Sequence, residues 1–295
     1  MHLDAATILL QWATGGLAFL WITSRGRLVS LGYGWLLRSV FGVLALGAAG
    51  AELRSAHGGT AHTVFVASAF GVLAAAGLAL VVSVVRRGAG VGAARARADA
   101  AAVRVAAMTG RRNADPAVTD GAAGEPAPVG REFPPALDLV APAIGLVGLL
   151  AAATFTGGST WLAGARLIVG AAFLGVVTDA MLLGHWYLTQ PGLPREPIKE
   201  LVRWAGYVWP IEVLVLLIPP GMVGVVLGVH DDGYGGLLGW MWVVCAITTG
   251  VLFGVTWLAL RERSYSAVMA ATGLLYLAIL TAFGTDLVAR ALLAP

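Results

Sequence analysis

Apolar stretches long enough to cross a lipid bilayer recur along this chain, and they leave it little freedom in what to become. A crossing needs about 20 mostly apolar residues to span a hydrocarbon core of about 30 Å. Eight segments meet that need, roughly at residues 5 to 24, 28 to 49, 62 to 85, 136 to 157, 164 to 189, 201 to 227, 236 to 260 and 265 to 290. Hydrocarbon offers no water to satisfy the backbone, so such segments fold as helices. The expected fold is therefore all-α, a polytopic membrane helix bundle with eight transmembrane helices. Composition agrees, since mean hydropathy is +0.83 and 58% of the residues are hydrophobic, above the apolar share of an ordinary soluble domain. The opening MHLDAATILL has no basic stretch ahead of its apolar run, so it reads as the first crossing and not as a removable signal peptide.

Basic residues set the expected orientation, because cytoplasmic loops are enriched in Lys and Arg. Arg25 and Arg27, eight arginines between 86 and 133, Arg195 with Lys199, and Arg261 with Arg263 all fall in alternate connections. Those connections are expected on the cytoplasmic side, which puts both termini outside. The opposite connections carry Glu52, Arg54, His57, His230, Asp231 and Asp232. Three regions follow: crossings one to three over 1–85, an Ala, Arg, Gly and Pro-rich cytoplasmic linker over 86–133, and crossings four to eight over 134–295. The linker has no sustained apolar period and reads as disordered or in part an amphipathic helix against anionic lipid. A net charge of only +3, unevenly placed, argues for orientation and not for nucleic acid.

Several chemistries are disfavoured. Cys245 is the one cysteine, which rules out a disulfide within the chain, a CxxC metal site or an iron-sulfur motif. Lys199 is the one lysine and falls in a loop, so a retinal-type Schiff base inside the bilayer is excluded. No P-loop, GxSxG, HExxH or dinucleotide fingerprint occurs. His57, His62 and His230 lack a ligand spacing for haem or a metal. No metal is expected, and haem is disfavoured.

The stretch from Thr178 to Glu212 carries an acid in each of two apolar segments joined by a short turn punctuated by prolines. A charge in hydrocarbon costs several kcal/mol, so such residues face a cavity, a partner or a functional path. Counting about 1.5 Å per residue from the expected helix ends puts Asp179, Glu212 and Arg38 at one depth near the bilayer centre. That grouping reads as a proton relay or coupled ion site; the plainer reading is an Arg–carboxylate pair that fixes helix register. His185, Trp186 and Tyr187 sit near the cytoplasmic boundary and offer a ring and a proton-exchanging group of the kind a quinone headgroup uses. Asp286 and Arg290, four residues apart, read as a salt bridge on a helix surface.

These residues point to an integral inner-membrane subunit of a bacterial redox or electron-transfer assembly that handles a quinone and protons. In that reading Asp179, Glu212 and Arg38 act on the proton, and His185, Trp186 and Tyr187 bind the quinone. Membrane lipids and other membrane or redox subunits are the expected partners. A proton-coupled transporter or channel for a small substrate, or a structural scaffold with no activity of its own, are the alternatives. The eight-crossing plan with both ends outside is shared by quinol-binding membrane anchors of bacterial molybdenum oxidoreductases, an analogy of topology carried by no residue motif.

Overall fold

A computed structural model describes residues 4–55, 58–88, 103, 105, 133–156, 158–190, 192–219, 221–262 and 264–293. Most of the 86–133 linker, and with it the expectation made for that stretch, lies outside the described residues. Among those described the secondary structure is helical, with no strand. The helices are α1 (Ala5–Arg25), α2 (Leu31–Arg54), α3 (Thr60–Val85), α4 (Val140–Phe155), α5 (Thr160–Thr189), α6 (Glu196–Leu217), α7 (Met222–Val226), α8 (Leu237–Ala259) and α9 (Tyr265–Leu292). A 3-10 turn at Pro135–Leu139 leads into α4.

Seven stretches are long and apolar enough to cross a membrane: α1, α2, α3, Pro135–Phe155, α5, α8 and α9. They mark the chain as a multi-pass membrane protein. The sequence count of eight includes α6, which is long enough but carries Glu196, Lys199, Glu200, Arg203 and Glu212. Its bounds also differ from the expected 201 to 227. The helix starts earlier because Pro197 fits the first turn, where a missing N–H costs no hydrogen bond. It stops at Leu217 because Pro219 drives the preceding Ile218 out of helical geometry, to a ψ of 127°. Glu212 therefore stands five residues from the end of α6 and away from its middle.

The centre of the bundle is the pair α1 and α5. α1 packs on α2, α4 and α5, while α5 also packs on α4, α6 and α9. Their crossing is close enough to be a contact of backbones. A Cβ on Gly15 would stand 1.7 Å from the Ala171 carbonyl oxygen, and one on Gly175 would stand 2.2 Å from the Gly15 carbonyl carbon. Small residues at such crossings supply the packing that holds membrane helices together where hydrophobicity gives no drive. α1 meets α4 side chain to backbone, because a Cβ on Gly145 would collide with the Thr14 side chain.

Polar contacts fix the ends of the helices. The Asp4 carboxylate caps α1 by accepting from the Ala6 and Thr7 N–H groups, each at 3.2 Å. In the turn before α8, Asp232 accepts from the N–H groups of Tyr234, Gly236, Leu238 and Gly239 at 2.8–3.3 Å. Those bonds, that of Gly236 foremost, hold its carboxyl below the usual carboxylate range. The α1–α2 turn and the start of α4 lie at one end of the bundle, its loop end, joined through Asp138. The start of α1 and the end of α9 lie at the other end, the terminal end, where Asp286 of α9 comes near Gln11 of α1.

Candidate functional site

Asp286 and Arg290 lie on α9, one helical turn apart, and both are fully buried. The spacing reads as a surface pair, and the structure corrects that reading: α9 turns this face onto α5 and α1, not outward. Arg290 Nε donates to Asp286 Oδ2 at 2.7 Å. The second Asp286 oxygen and both terminal nitrogens of Arg290 have no hydrogen-bond partner.

Other polar side chains converge on this pair. Gly170 of α5 lets two of them come close: a Cβ there would stand 2.1 Å from Gln11 Nε2 and 3.0 Å from Asp286 Oδ1. Gln11 on α1 is fully buried with both amide atoms unpartnered. Glu212 on α6 is fully buried, has neither carboxylate oxygen bonded, and feels the charges of Asp286, Arg290 and Arg166. Arg166 on α5 donates to the carbonyls of Val215 at 3.3 Å and Ile218 at 2.9 Å, and so closes the open end of α6. Four helices thus bring two carboxylates, two guanidiniums and an amide to one place near the terminal end of the bundle.

Buried polar atoms in proteins are normally bonded, and an isolated one in low dielectric is costly. Here donors and acceptors that lack partners stand side by side, a combination that ordered water or a small polar guest satisfies. The cluster has the composition of a proton-exchange or ion site: two acids and two arginines, with an amide beside them.

The other residues singled out in the sequence are distributed differently. Arg38 does not join Asp179 and Glu212. It lies seven residues into α2, near the loop end, with its Nε and one terminal nitrogen donating to Asp138 at 2.8 Å each. Ser24 donates to the same carboxylate at 2.8 Å, and the guanidinium lies 4.5 Å over the Phe133 ring. This two-pronged buried pair clamps the start of α4 to α1 and α2. Arg38 and Glu212 lie toward opposite ends of the bundle, so the expected common depth fails; it rested on helix ends that are displaced in α2 and α6.

Asp179 is fully buried and neither carboxyl oxygen is bonded, while its backbone carbonyl accepts from the Tyr33 hydroxyl at 3.0 Å. It lies nine residues beyond Gly170 on α5, half a turn round the helix, so it faces away from the Glu212 cluster. The expected relay partners are therefore two separate sites.

His185, Trp186 and Tyr187 also separate, because successive helical residues point about 100° apart. His185 is exposed and shares a 3.0 Å hydrogen bond with the Tyr276 hydroxyl of α9. Trp186 donates to Ser30 at 3.1 Å and to Gln190 at 3.2 Å. Tyr187 is buried and donates to the Pro194 carbonyl, which ties the α5–α6 turn to α5. The three side chains thus meet different neighbours.

Sequence reasoning passes over Gln11, Arg166, Asp286, Arg290 and Tyr276 as site residues. The available signal was that Asp286 and Arg290 lie inside an apolar run, where any ionisable residue is suspect. Toward the α2–α3 turn, His62 pairs with Glu52 and stacks on Phe155 with ring centroids 4.0 Å apart. His57 lies outside the described residues. Comparison with protein-family models, with curated proteins and with solved structures returns no match.

Removing one partner of a buried ion pair leaves the other uncompensated, at about 3–5 kcal/mol. Arg290→Ala is expected to destabilise the protein on that scale, and Asp286→Ala with Arg290→Ala by clearly less than the two single losses added. Unfolding of the three variants in detergent measures this as a double-mutant cycle; additive losses would mean that the pair is not coupled.

Proposed function

We propose that this chain handles protons in the membrane, with Glu212 as the exchanging group and Asp286, Arg290, Arg166 and Gln11 around it. The observation that supports this is the set of unpartnered buried polar atoms at one place: both Glu212 oxygens, Asp286 Oδ1, both terminal nitrogens of Arg290 and the Gln11 amide. Ionisable groups held this way inside a bundle serve as relays or coupling sites in membrane proteins. Glu212 shares this place with Asp286, Arg290 and Arg166. Gain or loss of a proton at Glu212 then shifts the balance of the cluster, and the unpartnered polar atoms around it are where water would exchange that proton.

In this reading α6 is the eighth crossing, its charged first turns standing in the headgroup region. The basic residues of the loop end face the cytoplasm, both termini face outward, and the membrane is a bacterial inner membrane. Asp179, deeper toward the loop end on the opposite face of α5, is a second and separate proton-exchanging acid.

A redox role, with other membrane or redox subunits as partners, is the second reading. The exposed His185–Tyr276 pair supports it, since a hydrogen-bonded imidazole and phenol open to lipid suit the carbonyl or hydroxyl of a quinone headgroup. Trp186 and Tyr187, turned elsewhere, would frame the pair and not contact the headgroup.

Proteoliposomes carrying a pH gradient and an internal dye test the first reading. Wild type is expected to dissipate the gradient and Glu212→Gln to slow it at least about tenfold, the scale of losing a positioned proton-transfer group; unchanged flux in Glu212→Gln would sink the proposal. For the second reading, quinone is expected in the lipid extract of purified wild type and depleted in His185→Ala. Equal quinone in both removes the pair as its site.

A further inference from the structure

Two arginines near the loop end of the bundle have an arrangement that the proton site does not use. Arg203 on α6 and Arg261, just beyond α8, are both exposed. Their guanidinium carbons lie 5.6 Å and 5.9 Å from the centroid of one ring, Trp257 of α8. Neither arginine forms an ion pair among the described residues. Like charges gathered on one ring repel each other, so the arrangement invites an anion.

The acidic groups nearby do not supply it. Glu200, on the turn of α6 before Arg203, is engaged by Arg25. Glu262 follows Arg261 and offers its carbonyl to Arg195, while its carboxylate forms no ion pair among the described residues. Arg195 donates to the Ser264 carbonyl as well, at 2.9 Å, and so ties the start of α6 to the α8–α9 turn. That tie holds Arg203 and Arg261 in fixed relation before any ligand arrives.

The surroundings define the depth. Trp204 and Tyr207 are exposed on α6, and Trp204 stacks edge to face on both Phe19 and Tyr207. Exposed Trp and Tyr mark the level of lipid headgroups. Arginine at that level binds phosphate through its planar fork, and the Trp257 face keeps each fork oriented.

We propose that the Arg203–Trp257–Arg261 surface between α6 and α8 binds the phosphate headgroup of an anionic phospholipid. The acyl chains lie along the exposed apolar flank of the two helices, which includes Leu214, Val251, Val255 and Leu258. The bound lipid neutralises the paired guanidiniums and joins α6 to α8 at their loop ends.

Native mass spectrometry and thermal unfolding of the purified full chain test this, using phosphatidylglycerol and phosphatidylcholine with the same acyl chains. Wild type is expected to retain phosphatidylglycerol preferentially and to gain thermal stability from it. R203Q/R261Q should bind it about tenfold more weakly, the scale of a lost charge-assisted contact. If the double variant does not accumulate, each single variant must show part of that loss. Preference unchanged in the variants, equal retention of phosphatidylcholine, or the same thermal shift from inorganic phosphate alone would overturn the proposal. Proton flux through Glu212 is a separate readout, so either idea can fail without the other.

Discussion

The contact of α1 with α5 at Gly15, Ala171 and Gly175 is the constraint from which the rest of the bundle follows. Two helices whose backbones touch leave no room for intervening side chains, so their relative rotation and depth are set within narrow limits. That setting places Gln11 opposite Gly170, and through Gly170 opposite Asp286 of α9. It also turns the far face of α5 toward Tyr33, where Asp179 resides. The dry crossing lies between these two polar places, so they meet different neighbours although they share a helix.

Hydrocarbon then sorts the charges by whether the protein answers them. Asp138 meets Arg38 with two parallel hydrogen bonds, Ser24 completes the shell, and the group holds two helices and the entry to a third. That is a structural answer, and nothing is left over except one Arg38 nitrogen. Around Glu212 the answer is incomplete. Four charged side chains and an amide stand together; Asp286 and Arg290 bond to each other, Arg166 reaches the end of α6, and both Glu212 oxygens and the Gln11 amide have no hydrogen-bond partner among the described residues. Unsatisfied buried groups at this density are what ordered water or a small polar guest would satisfy.

The sequence made the class of the protein plain, because twenty-residue apolar runs have few alternatives. It also singled out Asp179 and Glu212 as acids that must be buried, and both are. Their partners were hidden for two physical reasons. Helix rotation is set by neighbours and not by the helix itself, so Asp286 and Arg290 showed their spacing without showing that they face inward. Depth counting needs true helix ends, and Pro197 and Pro219 shift α6 by enough to carry Glu212 away from Arg38. Asp138, a hundred residues from Arg38 and beyond the long linker, gave no local sign of the pairing. The consecutive His185, Trp186 and Tyr187 looked like one site in the linear text, but a helix necessarily spreads three neighbours round its circumference.

The most direct test is a density map of the protein in lipid nanodiscs at a resolution that shows ordered water. Density is predicted between Glu212, Asp286 Oδ1, the Arg290 guanidinium and the Gln11 amide, bridging at least two of them. A dry cluster, with Glu212 bonded wholly to protein groups or turned away from Arg290, would contradict the assignment of this place as the proton site.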